Sequence, residues 1–282
     1  MRWASFNVHG VPGYGLVTPG GMQPVPPVFA ARFPDLRSVL AAGALATAAE
    51  AAQGYPRRPD PAALRLAPPV PNPGKILCVG VNFRAHMKEM GREVPEHPVI
   101  FTRYPDTLVG GDCAIVRPRI SPKFDYEGEL ACIIGRRARY VGREEALAYV
   151  AGYTCFMDGS VRDWQMHTTQ FIAGKNFPAS GACGPHLVTG DELPDPAGLT
   201  LQTRLNGTVM QSAPIADMCF GVADLVAYLS SCMQLEPGDI ITTGTPSGVG
   251  FARRPPVWLQ PGDLLEVDLG PVGVLRNTVV DE

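Results

Sequence analysis

Glu127-Gly128-Glu129 heads an apolar run, Leu130-Ala131-Cys132-Ile133-Ile134, and this juxtaposition constrains the chain more than any other segment. Side chains alternate between the two faces of a strand, so residues two apart share a face. Glu127 and Glu129 therefore point the same way beside hydrophobic core. Two ionised carboxylates at about 4 Å repel by ~4 kcal/mol at an effective dielectric of about 20. Such a pair needs a cation, a shared proton or open water. An edge strand with both acids in solvent meets that need, and so does a bound cation. A third acid, Asp158, ends another apolar stretch, Tyr153-Thr154-Cys155-Phe156-Met157. Glu127, Glu129 and Asp158, with no His or Cys among them, make a hard oxygen set suited to Mg²⁺ or Mn²⁺.

The rest of the chain bounds the context of this pair. Its 282 residues suit one large domain, or a large domain with a small appendage. With 45% hydrophobic and 18% charged residues it is too apolar for disorder. A net charge of −3, with no basic run beyond short pairs such as Arg136-Arg137 and Arg253-Arg254, leaves no footprint for nucleic acid. No apolar stretch reaches transmembrane length, and the first residues lack the apolar segment of a signal peptide, so no membrane partner is expected. The 7 cysteines are odd in number, irregular in spacing and without a C-x-x-C pair. They read as small buried hydrophobes in a reducing compartment, which makes a cytoplasmic location the expectation. The 31 Gly and 29 Pro punctuate many short segments and favour a β-rich fold over a helix bundle.

Three segments follow from that punctuation. Residues 1–54 read as a small N-terminal α/β domain: short strands to about residue 30, then Ala- and Leu-rich helix over 35–52 with Asp35 as N-cap. Residues 55–74 carry seven prolines and read as an extended linker. From residue 75 to 282 strands dominate, with helix expected at 144–150 and 222–234. Pro237-Gly238 and Pro261-Gly262 each turn the chain into a strand.

Several short patterns bear on chemistry. His86 and Glu89 are three apart, on one face of a helical turn. A Glu partner orients an imidazole, stabilises its protonated form and leaves its other nitrogen to deprotonate water, although H-x-x-E is common by itself. Met90 after Glu89 excludes the zinc-protease pattern H-x-x-E-H. The polar stretch 84–97, with Gly91, suits a mobile lid. Asp158, Arg162 and Gln165 fall within eight residues, and Lys175 follows in Ala173-Gly174-Lys175-Asn176. They suit either a solvated loop with an Arg–Asp pair or a grip on an anionic substrate. Thr243-Gly244-Thr245-Pro246-Ser247-Gly248-Val249-Gly250 is neither nucleotide-binding pattern, but a turn presenting Thr245 and backbone N–H groups can hold a carboxylate. The absence of G-x-S-x-G argues against a serine hydrolase.

Taken in order, these pieces resemble the fumarylacetoacetate hydrolase (FAH) family. The resemblance runs from residue 75 to the end. It is carried by Gly80-Val81-Asn82-Phe83, His86-Met87-Lys88-Glu89, Asp125-Tyr126-Glu127-Gly128-Glu129, Asp158-Gly159-Ser160-Val161-Arg162-Asp163, Gly174-Lys175 and Gly244-Thr245-Pro246-Ser247-Gly248-Val249-Gly250. It implies an α+β, predominantly β fold with a β-roll catalytic domain, and a homodimer. It implies a Mg²⁺ or Mn²⁺ site from Glu127, Glu129 and Asp158, and a water-activating dyad of His86 and Glu89 on a closing lid. It also implies an enolate-stabilising Lys175, with Arg162, Gln165 and Thr245 orienting substrate. Met157, Asn176 and Pro178 depart from the family's usual residues at their positions and bear on the pocket lining.

Three carboxylates on one divalent cation leave a net −1, which Lys175 offsets. The resulting expectation is hydrolysis of the C–C bond of a 2,4-dioxo acid, acylpyruvate-like, to a 2-oxo acid and a carboxylic acid. The competing expectation uses the same enolate without water: decarboxylation of an oxo acid such as oxaloacetate, or isomerisation of a hydroxy-diene dioate in aromatic catabolism. A non-catalytic metal- or sugar-binding module would leave His86, Glu89, Asp158, Arg162 and Lys175 without a joint purpose.

Overall fold

The computed structural model describes residues 1–282 except Arg57, Met90 and Arg92. The chain opens with strands β1 (Arg2–Val8), β2 (Val11–Thr18) and β3 (Gly21–Pro24), then helices α1 (Pro27–Arg32), α2 (Leu36–Ala41) and α3 (Leu45–Gln53). Strands β4 (Leu64–Ala67) and β5 (Ile76–Gly80) lead to helix α4 (Arg84–Glu89) and strand β6 (Val99–Arg103). Next come β7 (Leu108–Val109), β8 (Ile115–Arg117), β9 (Phe124–Asp125), β10 (Gly128–Ile134), β11 (Val150–Met157) and β12 (Ser160–Val161). Two short helices, α5 (Arg162–Gln165) and α6 (Ile172–Lys175), precede β13 (Gly181–Thr189), β14 (Thr200–Leu205) and β15 (Thr208–Pro214). Helix α7 (Val222–Cys232) and strands β16 (Ile240–Thr242), β17 (Leu264–Asp268) and β18 (Val274–Asp281) complete a mixed α+β fold.

The main sheet has eleven strands in the order β3-β2-β1-β13-β11-β10-β16-β5-β6, with β4 also on β1 and β7 on β13. A second sheet, β15-β14-β17-β18-β8, packs against it. Strand β10 is internal, antiparallel to β11 on one side and to β16 on the other. Its alternation sorts side chains between two cores. Leu130, Cys132 and Ile134 pack with Leu201, Leu265 and Val267 of the second sheet and Leu225 and Leu229 of α7. Ala131 and Ile133 pack with Trp3, Leu36, Val39 and Phe156 on the other face. Each buried Leu or Ile contributes ~1.5–3 kcal/mol, so the register that aims Glu127 and Glu129 is held by apolar residues on both faces.

Sequence signals outline much of this. Asp35 caps α2, its carboxylate accepting the Ser38 N–H at 2.7 Å. The segment 35–52 divides into α2 and α3 around Gly43, which takes a left-handed φ of 62°. Gly238 and Gly262, at φ 86° and 90°, supply the positive φ of their Pro-Gly turns. The 144–150 segment is a 3-10 helix over Arg143–Tyr149, and α7 ends at Cys232. Two features were not anticipated: helix α1, and strand β4 within the proline-rich 55–74 segment, which pairs with β1. Strand β1 also pairs with β13 through Arg2–Val188 and Trp3–Leu187, so the N-terminal segment and the segment after residue 75 share one sheet. Among the described residues, no helix is long and apolar enough to cross a membrane. All seven cysteines are free thiols.

Candidate functional site

Glu127 sits between β9 and β10, Glu129 lies on β10, and Asp158 follows β11. Gly128, between the two glutamates, has no room for a side chain: a Cβ there would lie 2.0 Å from Thr203 Oγ1 of the second sheet. Gly159, after Asp158, would meet Ser180 O at 1.9 Å. Close packing beside each acid therefore demands glycine. The three carboxylates are buried, and one oxygen from each lies within 4.8 Å of the others. The edge-strand alternative is thereby excluded, because β10 is internal and Glu129 is 1% exposed.

Three buried cations surround these acids. Lys175 Nζ lies 2.7 Å from both Glu127 Oε2 and Asp158 Oδ2. Arg162 binds Glu127 Oε1 and Asp125 Oδ2, each at 2.7 Å, and donates to Gln165 Oε1 at 2.9 Å. Arg103 binds Asp158 Oδ1 at 2.7 Å and donates to Gly159 O and Ser180 Oγ. Among the described residues Glu129 has no such ion pair; it accepts the Gly244 N–H at 2.8 Å. The electrostatic outcome differs accordingly. Burial would raise both glutamates, but Arg162 and Lys175 hold Glu127 down at about 2. Burial, with Asp158 and Glu127 adding repulsion, pushes Glu129 well above the usual carboxylate range. Four acids, Asp125, Glu127, Glu129 and Asp158, face three bases, so the cluster is short of positive charge whenever Glu129 gives up its proton. A divalent cation on Glu127, Glu129 and Asp158 would more than cover that deficit and relieve their mutual repulsion, and three hard oxygen donors suit such an ion.

A cavity of about 460 Å³ opens over this cluster, lined by Glu127, Arg162, Lys175, Gln165, Thr245 and His86 among others. The dyad is formed as its spacing suggests: His86 Nδ1 lies 2.9 Å from Glu89 Oε2 on α4. Asn82, just before α4, ties that helix to the Gly-rich turn by donating to Thr243 O at 2.8 Å and Phe220 O at 2.9 Å. Of the sequence-derived site residues, Glu127, Arg162, Gln165, Lys175, Thr245 and His86 meet at the cavity, Glu129 and Asp158 join through the carboxylate cluster, and Glu89 joins through His86. Two side chains are differently employed than a free substrate grip requires. Arg162 is committed to Asp125, Glu127 and Gln165. The Thr245 hydroxyl donates to Gly128 O and accepts from Gln211 Nε2. Both therefore hold the carboxylate strand in place. A second cavity, about 520 Å³ near Met1, Leu45 and Tyr149, lies away from these groups.

Arg103, Asp125 and Gln211 carry weight that sequence reasoning had not assigned. Arg103 closes the apolar run Val99-Ile100-Phe101-Thr102, and a charge there signals a buried partner. Gln211 ties Gly128 N–H to Thr245 and Pro246 O. The departure Asn176 is absorbed structurally, accepting from Tyr104 N–H and donating to Thr102 O at the end of β6.

A family model described as fumarylacetoacetate (FAA) hydrolase C-terminal matches residues 75–280. Oxaloacetate tautomerase YisK of Bacillus subtilis is 41% identical over 220 residues, covering 77% of this chain and 73% of its own. Mitochondrial oxaloacetate tautomerase Fahd2a of Rattus norvegicus is 41% identical over 213 residues, covering 75% and 68%. The structure of maleylpyruvate hydrolase from Sphingobium sp. SYK-6 in complex with manganese(II) and pyruvate matches with a TM-score of 0.82 at 29% identity, over 100% of this chain and 99% of that one. The two sequence relatives, named for tautomerising oxaloacetate, overturn the expectation of C–C hydrolysis and favour the competing oxo-acid reading. The cause of the error is chemical. A dyad beside a cation cluster serves proton transfer to carbon as readily as activation of water, and spacing does not separate the two. With the family model spanning most of its length and these relatives above 40% identity, the chain belongs to the fumarylacetoacetate hydrolase family.

Proposed function

We propose that this chain is a divalent-metal-dependent tautomerase of a small 2-oxo diacid, with oxaloacetate as its substrate. The observation that carries the reading is the placement of His86 over the same cavity as Glu127 and Lys175, above a cluster of three hard oxygen donors. Tautomerisation moves one proton between C3 and the C2 oxygen. It consumes no water and breaks no C–C bond. Glu127, Glu129 and Asp158 would hold a Mg²⁺ or Mn²⁺ ion, which would supply positive charge against an enolate oxygen. Glu89 accepts a hydrogen bond from Nδ1–H of His86, which leaves Nε2 to carry the proton between the C2 oxygen and C3, from oxygen to carbon in ketonisation and the reverse in enolisation. Lys175, fixed by Glu127 and Asp158, keeps an ammonium beside the developing negative charge. Gln165 keeps its amide N–H groups for a substrate carboxylate, because its carbonyl oxygen accepts from Arg162.

The test follows loss of the enol absorbance of oxaloacetate, with pyruvate release measured in parallel. Mn²⁺-loaded protein should accelerate ketonisation without releasing pyruvate at a matching rate, and His86→Ala should lose about 10²–10⁴-fold. No acceleration over buffer with metal would sink the reading, and stoichiometric pyruvate would transfer it to decarboxylation.

A further inference from the structure

Glu89 is held through both of its oxygens. Oε2 meets His86 Nδ1 at 2.9 Å, and Oε1 accepts the Gly248 N–H at 3.0 Å. Gly248 is braced in turn from outside α4. Its carbonyl accepts from the Tyr126 hydroxyl at 3.0 Å and from Arg253 Nε at 3.2 Å. Arg253 also donates through Nη2 to Met210 O at 2.7 Å. Gly248 has a left-handed φ of 101°, and a Cβ there would lie 2.1 Å from Met210 O. The turn is thus clamped against Met210 and cannot drift without losing three hydrogen bonds.

Tyr126, between Asp125 and Glu127, packs in the core with Leu130 and Cys132. One segment therefore supports both the acid cluster and the seat of Glu89. Neither Tyr126 nor Arg253 is among the described residues lining the cavity. An ionised carboxylate only accepts hydrogen bonds, so the seat of Glu89 decides which ring nitrogen of His86 carries the proton and where the other one points.

We propose that Tyr126 and Arg253 are positioning residues for the dyad: they hold the Gly248 amide where it seats Glu89, and Glu89 then sets the tautomer and angle of His86. The kinetic consequence rests on the tautomerase reading; the structural one does not.

The experiment makes Tyr126→Phe and Arg253→Gln in the parent and in a Glu89→Ala background. With Mn²⁺-loaded protein and oxaloacetate, each should lower kcat about 10-fold with KM changed less than twofold. Neither should lower it further once Glu89 is Ala, because the link they act through is then gone. Nitrogen-15 NMR of the His86 ring, without substrate, should show a protonated Nδ1 in the parent and a mixture of tautomers in Arg253→Gln. Losses that multiply in the Glu89→Ala background, or an unchanged His86 ring spectrum, overturn the proposal. A parent that fails to tautomerise oxaloacetate while the ring spectrum shifts as expected removes the tautomerase reading and leaves the positioning role supported. Tyr126→Phe keeps its ring in the core and carries both comparisons if Arg253→Gln does not fold.

Discussion

At the scale of single residues, the site is a problem in placing charge. Glu129 has the fewest compensating partners of the three acids, so it depends most on a bound cation. Glu129→Gln should weaken Mn²⁺ binding by more than the roughly 10–100-fold typical of losing an outer-shell partner. Calorimetry showing parent affinity would remove Glu129 from the ligand set. Arg103 makes the converse case. It is 2% exposed and binds Asp158 directly. Arg103→Met should cost about 3–5 kcal/mol in urea unfolding, because it breaks a buried ion pair and leaves Asp158 Oδ1 without its cation; a loss under about 1 kcal/mol would show that Lys175, on Oδ2, satisfies Asp158 without it. The two residues were unequally legible. Glu129 announces itself by parity with Glu127 at the head of an apolar run. Arg103 pairs with an acid 55 positions away, a contact no local pattern encodes.

Among elements, α4 is the one whose placement was only partly readable. The H-x-x-E spacing puts His86 and Glu89 on one face, but the burial of His86 and Met87 and the tie to Gly248 come from tertiary packing. Bound oxalate and Mn²⁺ should slow amide exchange in α4, since a filled cavity removes the solvent route to the helix. The Met87 amide, bonded to Phe83 O at 2.9 Å, is a suitable reporter. Equal protection with and without ligand would show that α4 does not respond to the cavity. The expected lid over 84–97 includes Met90 and Arg92, which lie outside the described residues. Strand β4 is the opposite lesson. The prolines that flank it, Pro61 and Pro68, favour an extended chain, and extended backbone beside β1 becomes a strand once a partner edge is available.

For the whole molecule, the charge deficit links stability to pH and metal. The folded state raises the Glu129 pKa, so metal-free protein is favoured when that group is protonated. The unfolded value is about 4.3. The stabilising share is therefore full below that pH and is lost as pH rises through the folded value. His186, held down to about 4 by burial, acts with the opposite sign between its own unfolded and folded values. Comparing the parent with Glu129→Gln cancels that contribution. In EDTA, Glu129→Gln should gain in Tm over the parent as pH rises above about 4.3, and saturating Mn²⁺ should reverse the order. At 100 times Kd the ion adds about 2.7 kcal/mol to the parent. A pH-independent difference would show that the Glu129 carboxyl is not strained in the fold.

The pairing of β1 with β13 bears on how this protein can be dissected. Trp3 is fully buried against the face that carries Ile133 and Phe156, and Leu187 and Val188 take their ladder partners from Arg2 and Trp3. A recombinant fragment trimmed to the span of the family model would keep every acid and base of the site. It would also bare an apolar sheet face and a stretch of open strand edge, the features that template intermolecular pairing. The N-terminal segment thus covers an edge and a face of the sheet, and fusion or shuffling designs that treat residue 75 as a clean joint inherit an aggregation surface.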